Sequence, residues 1–149
     1  MTRESGARAR HLARESLVKA LYQWQIAGHS VAEISAQFAA HEDFARCDRD
    51  FFGELLPVIV DDVVALDALI ARLATRSLEQ LDAVGRAILL LGLAELKFRN
   101  DVPSKVVINE AVELAKRYGA TDSYKFVNAV LDKMSRELRG SGALPKSAP

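Results

Sequence analysis

The stretch Ala87-Ile88-Leu89-Leu90-Leu91-Gly92-Leu93-Ala94 decides the fold. Wound at 3.6 residues per turn it is apolar on nearly every side, which predicts a helix packed from several directions at the centre of a bundle. It is not a membrane span: the longest apolar run without even a glycine is Ala87–Leu91, and a span takes about 20 residues. Its flanks extend the helix to Ala83–Phe98.

Outward from this centre the punctuation stays helical. Asn100-Asp101-Val102-Pro103 reads as a turn, Ser104 opens a helix to about Tyr118, and Gly119 stops it. Thr121 or Asp122 caps a last helix over about Ser123–Leu138, and residues 140–149 read as a flexible tail. On the other side, Ser77 and Gln80 form a capping box before a short turn at Leu78–Leu81. Earlier still, Phe51, Leu55, Ile59, Val63, Leu66, Ile70 and Leu73 recur at helical spacing, predicting one helix from Asp48 to about Ala74. Pro57 lies inside it and predicts a kink near residues 53–57 rather than a break.

The N-terminal region completes the pattern. Ala13, Leu17, Ala20, Leu21 and Trp24 mark one face of a helix over about Arg8–Ala27, ended by Gly28. Ser30 and Glu33 form a capping box ahead of Val31, Ile34 and Phe38, and His41–Cys47 follows as a polar loop. No segment alternates like a strand. The expectation is an all-α protein of about seven helices in two fused bundles, residues 1–75 and 76–139.

Half of the 149 residues are apolar and 27% are charged, which excludes wholesale disorder. A single cysteine, Cys47, excludes an internal disulfide, and with three scattered histidines it gives no zinc spacing. The basic N-terminus lacks the apolar core of a signal peptide, so a cytoplasmic protein is expected. No phosphate loop, nucleophile elbow or Cys/His pair appears, which argues against catalysis, and no cofactor is expected. The net charge is zero, yet unevenly spread: +3 over residues 1–28, −7 over 29–70, +2 over 71–100 and +2 over 101–149. The basic start keeps a nucleic-acid partner open.

Two groups suit such a partner. Arg10 and Arg14, at i and i+4, share one side of the first helix, with Arg3 and Arg8 in a loose arm before them. Asp122-Ser123-Tyr124-Lys125-Phe126 opens the last helix, where backbone N–H groups, the Lys125 cation and an aromatic ring could receive RNA. The plainer alternative puts Phe126 in the core and leaves Asp122 a cap.

These residues also carry a family resemblance. Ala20-Leu21-Tyr22-Gln23-Trp24-Gln25, the stretch Asp101–Lys116 and the stretch Gly119–Lys133 resemble three signatures of the NusB family of transcription antitermination factors, in order and spacing over about residues 8–138. The resemblance implies two fused helical bundles. It implies binding of boxA-type RNA together with NusE, a small-subunit ribosomal protein, within an antitermination complex on RNA polymerase. The implied RNA surface is Arg10, Arg14, Tyr22, Gln25, Asp122, Lys125 and Phe126. The implied partner-facing region holds Glu79, Asp82 and Arg86. Two departures stand out: relatives often carry consecutive arginines where this chain reads Arg10-His11-Leu12-Ala13-Arg14, and often an acid where it has Gly85. Competing readings are an enzyme-associated helical module and a homodimeric protein-interaction bundle.

Overall fold

The computed structural model describes residues 3–73 and 81–140, with side chains from Gly6 onward. Seven α-helices and no strand occur among the described residues: α1 (Arg3–Ala27), α2 (Val31–Ala39), α3 (Arg49–Asp61), α4 (Val63–Leu73), α5 (Ala83–Phe98), α6 (Ser104–Tyr118) and α7 (Ser123–Arg139). The fold is all-α, as the periodicity predicts. The expected loop after α2 contains a short 3-10 turn, Glu42–Arg46, with His41 Nδ1 accepting the Asp43 N–H at 3.3 Å.

The chain divides into two compact units, Met1–Asp62 and Val63–Pro149. The division expected near residue 75 itself lies outside the described residues. So do the Ser77–Gln80 capping box, most of the Leu78–Leu81 turn, and the tail from Ser141.

In the first unit, Ala13, Leu17, Ala20 and Leu21 of α1 are fully enclosed, as are Ile34 of α2 and Leu56 and Ile59 of α3. Burying each leucine, isoleucine or phenylalanine of this core contributes about 1.5–3 kcal/mol. Phe44 meets Phe52 edge-on at 5.0 Å, and Phe38 lies 5.3 Å from Phe52, so one aromatic cluster closes the end of the unit. The Ser30–Glu33 capping box forms in both directions: Glu33 N donates to Ser30 Oγ at 3.1 Å, and Ser30 N donates to Glu33 Oε1 at 2.9 Å.

Two expectations change here. Helix α1 starts at Arg3, not Arg8, so Arg3 and Arg8 lie on a helix rather than in a loose arm. The residues before Arg8 include good helix formers and no proline, so nothing stops the helix earlier. The single helix expected from Asp48 to Ala74 is two helices. α3 runs on through Pro57, and the chain turns at Asp62, where φ is −98° and ψ is 10°.

The second unit is built around α5. Every residue from Ala87 to Leu96 is buried, against α4, α6 and α7. Gly92 is required by close approach: a Cβ there would lie 2.8 and 2.9 Å from the Leu131 methyl carbons of α7. Asp82 caps α5 by accepting the Gly85 N–H at 2.7 Å. The far end of α5 is closed by Arg139. Its guanidinium donates to the carbonyls of Glu95 (3.1 Å), Leu96 (3.2 Å), Arg99 (2.9 Å) and Val102 (2.6 Å), and to Ser104 Oγ (3.1 Å). One side chain thereby ties the end of α5, the turn after it and the start of α6 together, adding to the backbone bonds that Glu95 O and Arg99 O already accept.

Candidate RNA interface

Arg10 and Arg14 do share one side of α1, and both lie over the ring of Phe51, at 4.5 and 5.0 Å from its centroid. They differ in accessibility. Arg10 is part-exposed, and its Nε donates to Asp48 Oδ2 at 3.3 Å. Arg14 is only 3% exposed, so its cation works inside the unit as packing and cation–π contact. Asp48 holds the arrangement: its Oδ1 accepts the Phe51 N–H at 3.0 Å and caps α3, while its own N–H donates to Ala9 O at 2.9 Å.

Farther along α1, Tyr22 is 43% exposed and presents an aromatic surface to solvent. Gln25 is half-buried, and its Nε2 donates back to Leu21 O at 3.3 Å.

At the start of α7, Asp122 stands at the N-cap position in the left-handed region, with φ 65°. An effective cap needs an extended backbone that aims the side chain at the first N–H groups. Here no side-chain cap bond forms, which corrects the expectation that Asp122 caps this helix. Its carboxylate instead faces Lys125, with Nζ 3.9 Å from Oδ1, and both side chains are well exposed, at 64% and 67%. Phe126 is 8% exposed and packs in the core of the second unit.

Sequence reasoning missed Lys116. Its Nζ lies 5.1 Å from the centroid of the half-buried Tyr124 ring, which Lys125 approaches at 6.0 Å. Two exposed cations flanking an aromatic ring beside a carboxylate can hold a phosphate, stack a base and accept an amino proton. Lys116 sits in the last turn of α6 and reaches Tyr124 only because the chain reverses at Gly119, where a Cβ would lie 2.7 Å from Ala115 O. No helical spacing within one segment signals that meeting.

The partner-facing candidates are placed in part. Asp82 is exposed and serves as the α5 cap. Arg86 forms a two-pronged pair with Asp67 of α4, Nε to Oδ1 at 3.0 Å and Nη2 to Oδ2 at 2.6 Å. Such a pair fixes the guanidinium plane. Glu79 lies outside the described residues. A Cβ at Gly85 would meet Leu81 Cδ1 at 2.9 Å and Asp82 Oδ1 at 3.0 Å, so a side chain there needs the Leu81 methyl and the capping carboxylate to give way slightly.

Among the described residues no helix is long and apolar enough to cross a membrane. The family model described as "NusB family" matches residues 11–136. The chain is 50% identical over 139 residues to the Transcription antitermination protein NusB of Alcanivorax borkumensis, covering 93% of each chain. It is 48% identical over 131 residues to the protein of the same name from Photorhabdus laumondii, covering 88% of this chain and 95% of that one. Among solved structures it resembles T. maritima NusB, with a TM-score of 0.76, 34% identity, and coverage of 86% of this chain and 91% of that one. It also resembles a chain in "Crystal Structure of a Plectonemic RNA Supercoil", with a TM-score of 0.73, 26% identity, and coverage of 94% and 99%. With the signatures, the helical architecture and these matches in agreement over most of its length, the chain belongs to the NusB family.

Proposed function

We propose that this chain is a non-catalytic RNA-binding adaptor of transcription antitermination. It binds boxA-type RNA together with the ribosomal protein NusE and joins the antitermination complex on RNA polymerase, notably on ribosomal RNA operons. That role places it in the cytoplasm. Family membership across residues 11–136 carries the reading. The exposed aromatic and cationic groups of each unit support it.

Tyr22 in the first unit and Tyr124 in the second offer stacking faces, and Lys116 and Lys125 offer phosphate contacts. Asp122 accepts hydrogen bonds from base amino groups. Arg10 contributes through its exposed part, and Gln25 lies one helical turn from Tyr22. Arg14 and Phe126 act from beneath, by fixing α1 on Phe51 and α7 on its core. Asp82 and Arg86, with Glu79, contribute to the NusE side.

The test is a titration of boxA and scrambled RNA, with and without NusE. BoxA binds preferentially and NusE strengthens it by thermodynamic coupling. Tyr22→Ala and Lys125→Ala each weaken it, the stacking loss being about 1–3 kcal/mol. Equal binding of both RNAs with no effect of NusE overturns the reading. A homodimer in sedimentation that ignores RNA would replace it with a protein-interaction bundle.

A further inference from the structure

An open cavity of about 400 Å³ lies in the first unit, between α1, the end of α2 and the 3-10 turn. Pockets for small ligands run from roughly 300 to 1,000 Å³. Beside an exposed His41–Asp43 pair, its lining falls into three chemistries. Leu12, Phe38 and Phe44 supply apolar surface, the two rings meeting edge-on at 6.4 Å. Ser16, Gln37 and Glu15 supply hydrogen-bonding groups. Arg8 and Lys19 of α1, and Arg46 of the 3-10 turn, are exposed cations at the rim. Among the described residues none of these three cations is in an ion pair with a carboxylate.

The placement along α1 is systematic. Arg8, Leu12, Glu15, Ser16 and Lys19 recur at three- and four-residue steps, so one stripe of the helix forms a whole wall. Arg8 and Lys19 stand at its two ends, about 16 Å apart at 1.5 Å per residue. A ligand that fits must be flat and apolar in the middle, polar at one edge and anionic outside. A nucleotide has all three properties.

We propose that this cavity is a nucleotide subsite: a base enters between Leu12, Phe38 and Phe44, and its phosphates meet Arg8, Lys19 or Arg46 at the rim. Glu15 adds selectivity. A carboxylate accepts from an exocyclic amino group, so adenine or cytosine is favoured over uracil. The same carboxylate repels small anions, so inorganic phosphate alone binds poorly. The nucleotide comes either from solution or from an RNA strand. The strand source rests on the RNA-binding reading above; the solution source does not.

The protein carries its own reporter. Cys47 is the one thiol of the chain and lines the cavity. An occupant should slow its reaction with a small disulfide reagent at mildly alkaline pH. The experiment measures that rate in the full chain with adenosine monophosphate, uridine monophosphate, inorganic phosphate and boxA RNA, alongside RNA binding by fluorescence anisotropy.

Adenosine monophosphate or the RNA protects Cys47, with uridine monophosphate weaker and phosphate inert. Lys19→Ala and Arg46→Ala, both at exposed positions, weaken protection by about three- to tenfold as a charge-assisted contact is lost. Ser16→Phe, which fills the cavity, abolishes it; a matched thermal melt certifies folding, and the two alanine variants stand in if that melt fails. Protection by the free nucleotide assigns the solution source. Protection by RNA alone assigns the strand. Undiminished RNA binding with no protection by any probe overturns the subsite and leaves the RNA function standing. Protection by the nucleotide without any RNA binding overturns the RNA function and leaves the subsite.

Discussion

At the scale of single residues, Arg139 does the most. It donates to four carbonyls and one hydroxyl from three stretches of chain. Burial pushes its pKa down, while Glu95 and Asp101 pull it up; the guanidinium stays charged. Arg139→Ala should destabilise the second unit by about 2–3 kcal/mol, the worth of hydrogen bonds to a charged group, read in urea unfolding. Arg139→Lys should recover only part, because an ammonium lacks the planar fork. Residue-scale reading of the sequence succeeded where the partner is local and failed where it is distant. The Ser30–Glu33 box was legible because both bonds close within one turn. The burial of Arg14 was not, because the ring it covers arrives from α3. The box also makes α2 sensitive to acid. Hydrogen bonds from Ser30, chiefly its backbone N–H, hold the Glu33 carboxyl below its ordinary value. A depressed folded pKa gives stability that is present above the unfolded value and lost as pH falls through the folded one. Protection of the Ser30 amide, taken relative to its intrinsic exchange rate at each pH, should therefore fall on acidification along the Glu33 titration, and Glu33→Gln should flatten that dependence.

At the scale of elements, α3 and α4 show why periodicity alone misled. Ile59 and Leu66 are both fully buried and seven residues apart, so the apolar register passes through the turn at Asp62 unchanged. Two full helical turns separate them, and the pattern carries no mark of the interruption. The central helix α5 was legible for the opposite reason: an element buried all round needs no register to be recognised. Asp48 gives the sharpest test at this scale, since one carboxylate both caps α3 and pairs with Arg10. Asp48→Asn keeps a capping oxygen and should cost little. Asp48→Ala loses both roles and should cost about 0.5–2 kcal/mol from the cap alone, measured as a shift in the unfolding midpoint. Equal losses for the two variants would show that the Arg10 pair, not the cap, holds this end of α3.

For the whole molecule, the zero net charge hides a basic start and a strongly acidic middle. The structure refines this further, since Arg14 is enclosed and Arg10 is shared with Asp48. On the proposed RNA surface Arg10, Lys116 and Lys125 remain for phosphates, with Arg8, Lys19 and Arg46 added only if a strand enters the cavity, so the salt dependence of RNA binding should be shallow. About three contacts give a slope near −2 in log K against log salt, at about 0.7 per contact for a single strand. Anisotropy titrations across salt concentrations measure it, and a slope steeper than about −4 would mean phosphate contacts beyond these residues.

The Arg139 clasp has a consequence in time. The side chain that closes the end of α5 is made 37 to 44 residues after the carbonyls it binds. At about 5–20 residues per second of synthesis, the most apolar helix of the chain waits several seconds without this clasp. α7 and the Leu131 methyls that seat against Gly92 are also still to come. The first unit waits as long for Asp48, which is made 38 residues after the Arg10 it pairs with. What sets α5 apart is that its whole surface from Ala87 to Leu96 is destined for burial, so it is the segment that a nascent-chain chaperone would have reason to hold.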